Sequence, residues 1–137
     1  MIKTYQGTIY PWNCDHMNHM NVKFYVEKFD EATWNFFALL GLTSKYLREN
    51  NRGMVALEQN IKYKKEVFAG DNIYCESEVI EIKEKIIRFK HIMKDLETKE
   101  NVSETELVGL HIDTEKRKGI IIPDFVKLNS QKLKTDK

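Results

Sequence analysis

The chain has 137 residues, and its 22 Lys and Arg residues nearly balance its 21 Asp and Glu residues. This length predicts one domain with a substantial core, and the balanced charge disfavours nucleic acid as the main ligand. The two cysteines form no disulfide or metal-binding pattern, which favours a cytoplasmic protein. The sequence has no apolar run of the kind that predicts a signal peptide or a membrane-spanning helix.

The predicted elements begin with one strand and one long helix. Thr, Tyr and Ile dominate residues 2–10, which predicts a strand that ends at Pro11. In residues 22–40, apolar side chains recur at steps of three and four, and the stripe broadens in the second half. Gly41 marks the C-terminal end of this helix. A helix that is apolar around so much of its surface is expected to be surrounded by other elements.

Strand patterns joined by short turns make up most of the remaining sequence. They cover residues 54–67, 73–82, 85–95 and 102–113. Consecutive strands with hairpin-sized turns predict an antiparallel sheet that covers one face of the helix. We expect a single domain over residues 1–128 and a flexible tail over residues 129–137, where Lys and Gln are frequent.

A polar segment, residues 13–21, leads directly into the predicted helix. Asp15 is its leading catalytic candidate, because a carboxylate can activate water or attack a carbonyl carbon. The first turn of a buried helix presents free N–H groups and a partial positive charge, which suit a developing oxyanion. Asp15 also fits a purely structural role in bracing the loop, and spacing alone leaves both roles open.

The same loop contains residue types that bind metals. They are Cys14, Asp15, His16 and His19. Zinc sites usually take their ligands from two separate stretches of sequence, so this compact cluster does not predict a metal site.

The sequence resembles a known family. Asp15, His19, Asn21 and Tyr25 match the Asp-x-x-Gly-His-Val-Asn-Asn-x-x-Tyr pattern of the hotdog-fold thioesterases of the 4-hydroxybenzoyl-CoA type. Later segments also fit, and they are most similar to the branch that contains the betainyl-CoA thioesterases. The segments are residues 58–63, 66–71 and 85–93.

Two positions depart from the family pattern. Asn18 stands where Gly is usual, and Val22 stands where a second Asn or Asp is usual. Asn adopts a left-handed backbone less freely than Gly, so we expect a slightly different loop shape.

The resemblance implies an α+β hotdog fold, in which a five-stranded antiparallel sheet wraps around one long central helix. It also implies a homodimer or a dimer of dimers. The implied activity is hydrolysis of a short or polar acyl-CoA thioester. Coenzyme A would belong to the substrate, and no further cofactor or metal is expected.

The resemblance also implies roles for individual residues. Asp15 would act as base or nucleophile, and the amides of residues 21–24 would bind the oxyanion. His19 and Glu58 complete the expected catalytic set, with Glu58 reaching a neighbouring subunit. The expected substrate-binding residues are Asn18, Asn21, Val22, Tyr25 and Asn60.

Other interpretations stay open. His19 fits a hydrogen bond that shapes the loop better than a general base, and Glu58 fits a solvated strand position. Glu27, Asp30 and Glu31 lie outside the apolar stripe of the helix, and we expect them to be solvated. The same fold supports dehydratases and non-catalytic acyl-CoA-binding domains, so fold alone does not establish hydrolysis.

Overall fold

The computed structural model describes residues 1–135, which form one curved antiparallel sheet and three α-helices. In chain order the elements are β1 (Ile2–Thr8), a 3-10 helix (Pro11–Asn13), α1 (Val22–Leu39), α2 (Ser44–Glu49), β2 (Arg52–Tyr63), β3 (Asn72–Lys83), β4 (Ile86–Asp95), β5 (Asn101–Asp113), β6 (Lys118–Gly119) and α3 (Asp124–Thr135). The long strands follow the order β1-β3-β4-β5-β2, and β6 is a two-residue addition that pairs with β5. The predicted α+β hotdog fold is confirmed.

Helix α1 buries one face against the sheet. Its buried residues recur at steps of three and four, and they are Tyr25, Lys28, Phe29, Ala32, Thr33, Phe36 and Phe37. The rings of Phe36 and Phe37 lie 6.2 and 5.2 Å from the ring of Phe89 on β4. Full burial of such a side chain stabilises the fold by about 1.5–3 kcal/mol. The sheet therefore holds this helix in place through side-chain packing.

A chain of buried polar side chains crosses the same core. His91 on β4 is fully buried, and its Nε2 lies 2.8 Å from Thr33 Oγ1 on α1. Thr33 donates its own proton to the Phe29 carbonyl at 2.9 Å, so Nε2–H must donate to Thr33. His91 Nδ1 then accepts from Ser77, whose hydroxyl accepts from Thr4 at 2.7 Å. Burial lowers the pKa of His91 to about 3, and the network requires the neutral imidazole.

Strand β2 departs from its predicted pattern. A bulge between Ala56 and Glu58 shifts its register against β5. The extra residue reverses the alternation of side chains beyond it, so the alternating apolar residues of this sequence do not all lie on one face of the strand. Val55 and Leu57 are 41% and 54% exposed, whereas Met54 is buried.

The C-terminal segment is helical. Residues 129–135 belong to α3, so the predicted flexible tail is wrong for them, and residues 136 and 137 lie outside the described part of the chain. Asn129 Nδ2 donates to the Leu40 carbonyl at 2.9 Å, and Val126 and Ser130 are buried. The helix therefore packs against the C-terminal end of α1, with its Lys residues largely exposed.

The buried imidazole makes stability depend on pH. The pKa of His91 is about 3 in the folded protein against 6.5 ordinarily, so between these values the unfolded chain binds more protons. The stability that neutral His91 contributes is fully present above pH 6.5 and is lost as the pH falls from 6.5 towards 3. Urea unfolding should show losses of up to about 1.4 kcal/mol per pH unit between pH 6 and pH 4. His91→Gln cannot titrate and should show a shallower fall, whereas equal slopes would contradict the assignment.

Candidate active site

The loop before α1 folds back on itself and carries Asp15. An isolated bridge joins Cys14 to Met20 at its base. Asp15 N–H donates to the His19 carbonyl at 3.2 Å, and Asn18 N–H donates to the Asp15 carbonyl at 2.9 Å. These backbone bonds hold Asp15 at a defined point immediately before the helix.

Asn18 adopts the left-handed backbone conformation, with a φ of 68°. The side chain of an L-residue is crowded in this conformation, which Gly adopts freely and Asn tolerates better than most residues. The geometry gives a physical reason for the Gly of the family pattern at this position. It also shows why Asn can replace that Gly.

Both carboxylate oxygens of Asp15 accept hydrogen bonds. Oδ2 accepts from Asn21 Nδ2 at 2.8 Å, and Oδ1 accepts from Met17 N–H at 2.8 Å. The bond from Asn21, followed by that from Met17, holds the pKa of Asp15 below its usual range. The half-buried side chain is therefore an oriented, ionised carboxylate at neutral pH, which suits a base or a nucleophile.

Asn21 connects this carboxylate to the helix. Its Oδ1 accepts from Lys23 N–H at 3.0 Å, which caps α1, while its Nδ2 holds Asp15. One amide side chain therefore fixes both the catalytic candidate and the start of the helix.

The four amides predicted as oxyanion donors are not equally available. Asn21 N–H donates to the Asn13 carbonyl at 2.9 Å, Phe24 N–H donates to the Asn21 carbonyl at 3.0 Å, and Lys23 N–H is capped. Among these four, within the described residues, Val22 N–H alone has no acceptor. The geometry narrows the candidate oxyanion site to this one group.

The imidazole of His19 contacts the neighbouring loop and makes no hydrogen bond to the Asp15 carboxylate. Its Nε2 lies 3.6 Å from the Glu66 carboxylate, and its Nδ1 lies 3.3 Å from the Met20 carbonyl. Sequence reasoning missed Glu66, because an acidic residue in a polar loop gives no signal of its partner. A catalytic role for His19 stays a prediction.

Tyr25 is mainly a packing residue in this geometry. Its hydroxyl donates to the Lys65 carbonyl at 3.3 Å, and its ring meets Tyr63 edge-on at 5.0 Å. The side chain is 4% exposed, so its predicted contact with substrate stays untested.

Glu58 and Asn60 lie on the side of β2 that faces away from α1. Asn60 lines a separate cavity of about 280 Å³ with Lys62 and Lys90. Gln59, which lies between Glu58 and Asn60 in the strand, faces α1 instead. No hydrogen bond or ion pair within residues 1–135 joins either residue to the Asp15 loop. Their predicted catalytic and substrate-binding roles stay predictions.

A cleft of about 440 Å³ lies along one side of α1, and residues of β2, β4 and β5 form its opposite wall. It begins at Lys23, next to the free amide of Val22, and its far end includes Trp34. The sheet supplies a mainly apolar floor, whereas the helix also contributes Glu27 and Asp30. Helical periodicity showed that these two acids lie outside the core, but it could not show the cleft that they face.

Two other classes of site are absent from residues 1–135. None of their helices is both long enough and apolar enough to cross a membrane. Nor do their His, Cys, Asp and Glu side chains form a group of three or more suited to a metal ion.

The sequence profile of one family matches most of the chain. The profile of the Thioesterase-like superfamily matches residues 9–129. This chain belongs to the thioesterase-like superfamily. The expected enzyme class, a thioester hydrolase, is confirmed at the level of this superfamily, and no curated protein sequence matches the chain.

Solved structures share the fold of this thioesterase-like protein. The hypothetical protein SAV2348 from Staphylococcus aureus, in complex with CoA, has a TM-score of 0.89 at 19% identity, over 100% of this chain and 88% of its own. YbaW, a probable thioesterase from Escherichia coli, has a TM-score of 0.80 at 17% identity, over 94% and 96%. Slr0204, a 1,4-dihydroxy-2-naphthoyl-CoA thioesterase from Synechocystis, has a TM-score of 0.82 at 11% identity, over 95% and 96%. At these identities the comparison establishes the fold.

The left-handed residue gives a testable prediction. Asn18→Ala should lower the free energy of unfolding by about 1 kcal/mol, because Ala is strained in this conformation and cannot form a local hydrogen bond. Asn18→Gly relieves the strain and should stay within about 0.5 kcal/mol of the parent. Urea unfolding of both variants checks the difference, and an Ala variant as stable as the Gly variant would contradict it.

Proposed function

We propose that this protein hydrolyses an acyl-CoA thioester at the start of α1. Asp15 acts as base or nucleophile, and the Val22 amide binds the oxyanion. The observation that carries the proposal is the arrangement around Asn21, which holds an ionised carboxylate beside the free amide of a helix N-terminus. Thioester hydrolysis requires a base or nucleophile, which the carboxylate supplies, and an oxyanion donor, which the amide supplies.

The proposed reaction has two routes that use the same groups. In the first, Asp15 takes a proton from water and the resulting hydroxide attacks the thioester carbon. In the second, the carboxylate attacks directly and water then hydrolyses the mixed anhydride. In both routes the carbonyl oxygen becomes negative beside Val22 N–H, the C–S bond breaks, and the thiolate of coenzyme A leaves and is protonated.

Coenzyme A enters this scheme as part of the substrate, and the proposal includes no other cofactor. The CoA bound to SAV2348 and the activity named for Slr0204 support this choice of thiol. The free cysteines Cys14 and Cys75 support a reducing, cytoplasmic setting.

The proposal includes association of two chains through β2, as a homodimer or a dimer of dimers. This strand ends the sheet and has 12 residues. A long edge strand with exposed apolar side chains is normally protected by pairing or by charge. Val55 and Leu57 leave this edge apolar, which supports pairing with a second copy.

Removing the carboxylate tests the catalytic proposal. Asp15→Asn should lower kcat about 100-fold or more on a panel of acyl-CoA thioesters, since the amide cannot act as a base. Asp95→Asn is the matched control, because the Asp95 carboxylate also accepts two hydrogen bonds, here both from backbone N–H groups, but belongs to the turn between β4 and β5. The control should keep full activity.

Two outcomes would overturn the catalytic proposal. Full hydrolysis by a folded Asp15→Asn variant would exclude Asp15 as the acting group. Stable binding of acyl-CoA without turnover by the parent would indicate a binding domain.

Introducing charged side chains on β2 tests the proposed association of two chains. The double variant Val55→Lys, Leu57→Lys should sediment as a smaller species than the parent, because like charges would meet across the paired edge. Ile80→Lys is the control, since Ile80 is 43% exposed on an interior strand of the sheet. Identical sedimentation of the double variant and the parent would contradict pairing through β2.

A further inference from the structure

The cleft wall of α1 carries charges in an unusual order. Lys23 lies in the first turn, which contains no acidic residue, and Glu27 and Asp30 follow deeper in the cleft. The N-terminus of a helix is already partly positive, so the helix itself is better stabilised by acids there. The order therefore does not serve the stability of the helix.

These charges are also uncompensated. Within the described residues, Glu27 and Asp30 make no ion pair or side-chain hydrogen bond, although six pairs form elsewhere. The Lys23 ammonium lies 5.4 Å from the ring centroid of Phe24 and likewise has no carboxylate partner. Lys23 therefore places a positive charge next to the free Val22 amide, and Glu27 and Asp30 place negative charges farther along the same wall.

We infer that the cleft selects an acyl group with an apolar body and a positively charged distal end. The inference rests on the proposed function and names the substrate class of that same site. Lys23 complements the negative charge at the thioester and coenzyme A end. Glu27 and Asp30 complement the distal cation, and the floor of Leu107 and Val108 contacts the apolar body.

The helix sets the length of the acyl group. Glu27 and Asp30 follow Val22 by five and eight residues, which places them about 7.5 and 12 Å along the axis. Helical side chains lean toward the N-terminus, so their carboxylates lie nearer to the amide than these values. An extended chain advances about 1.2 Å per bond. A cation six to eight bonds from the thioester carbon therefore reaches both carboxylates.

A guanidinium is the cation best matched to these groups. It is planar, it bonds carboxylates through two parallel N–H groups, and it stacks on aromatic rings. Trp34, one turn beyond Asp30, presents a ring that is 46% exposed at the end of the cleft.

Two substrates of equal size test the inference. They are 6-guanidinohexanoyl-CoA, which is cationic, and 6-ureidohexanoyl-CoA, its neutral isostere. We expect kcat/KM to favour the guanidino substrate about tenfold at low salt, because two carboxylates act in a partly screened cleft. The double variant Glu27→Gln, Asp30→Asn should reduce this preference to about twofold or less. Glu31→Gln, on the same helix but outside the cleft, should preserve it.

Different outcomes test the selectivity of the cleft and the hydrolysis itself. Equal kcat/KM for both substrates, with hydrolysis that depends on Asp15, would overturn the selectivity and leave the proposed function standing. A preference that survives in the double variant would also overturn the role of the two acids, for instance if a second copy of the chain covers them. Failure of both substrates while other acyl-CoA thioesters are hydrolysed would overturn the selectivity alone. Absence of Asp15-dependent hydrolysis across the whole acyl-CoA panel, with these two substrates included, would overturn the proposed function.

Discussion

The site depends on the two hydrogen bonds made by one side chain, Asn21. Its carbonyl oxygen caps α1 and its amino group holds the carboxylate of Asp15. The cap fixes where the helix begins, and this in turn leaves the Val22 amide free. The anchor helps to fix where the carboxylate points and lowers its pKa. Asn21 thereby links the negative group of the candidate site to its oxyanion donor.

Helix α1 serves three purposes on three parts of its surface. One face packs against the sheet, where His91 and Thr33 join the helix to the strands by a buried hydrogen bond. Sliding the helix would leave these groups unpaired in the core, which is costly. The N-terminus carries the candidate chemistry, and a third face forms the wall of the cleft. The packed core thus holds the candidate reacting groups and the charged groups of the cleft in a fixed relation.

The long helix and the antiparallel strands were predictable because their signals are periodic, whereas the hotdog fold itself was implied by the resemblance to the family. The apolar stripe of α1 located the helix to within one residue of its end at Leu39, and the strands followed from their turns. The bulge at β2 was not predictable, because the apolar residues Val55, Leu57, Ile61 and Tyr63 keep the same alternation on both sides of it. Helix α3 was missed because its exposed Lys residues resemble those of a tail, and its few anchors, Val126 and Asn129, depend on tertiary contacts.

The candidate site was predictable in part. Asp15 and Asn21 followed from the family pattern, but the pattern could not show that three of the four expected amides are already bonded. That result depends on the cap and on the Asn13 carbonyl, which only the folded loop brings together. Glu27 and Asp30 show the same limit, since a helical repeat locates a face without locating the cleft that it borders.

The pH–rate profile of Asn21→Asp tests the central claim most directly. Asp caps helices as well as Asn does, so α1 should keep its start and its stability. The new carboxylate, however, would replace a hydrogen-bond donor beside Asp15 with a like charge, which raises the pKa of Asp15. We predict that the acid limb of kcat/KM moves upward by about one pH unit or more. An unshifted acid limb with unchanged kcat would contradict the claim that the hydrogen bond from Asn21 lowers the pKa of a reacting Asp15 carboxylate.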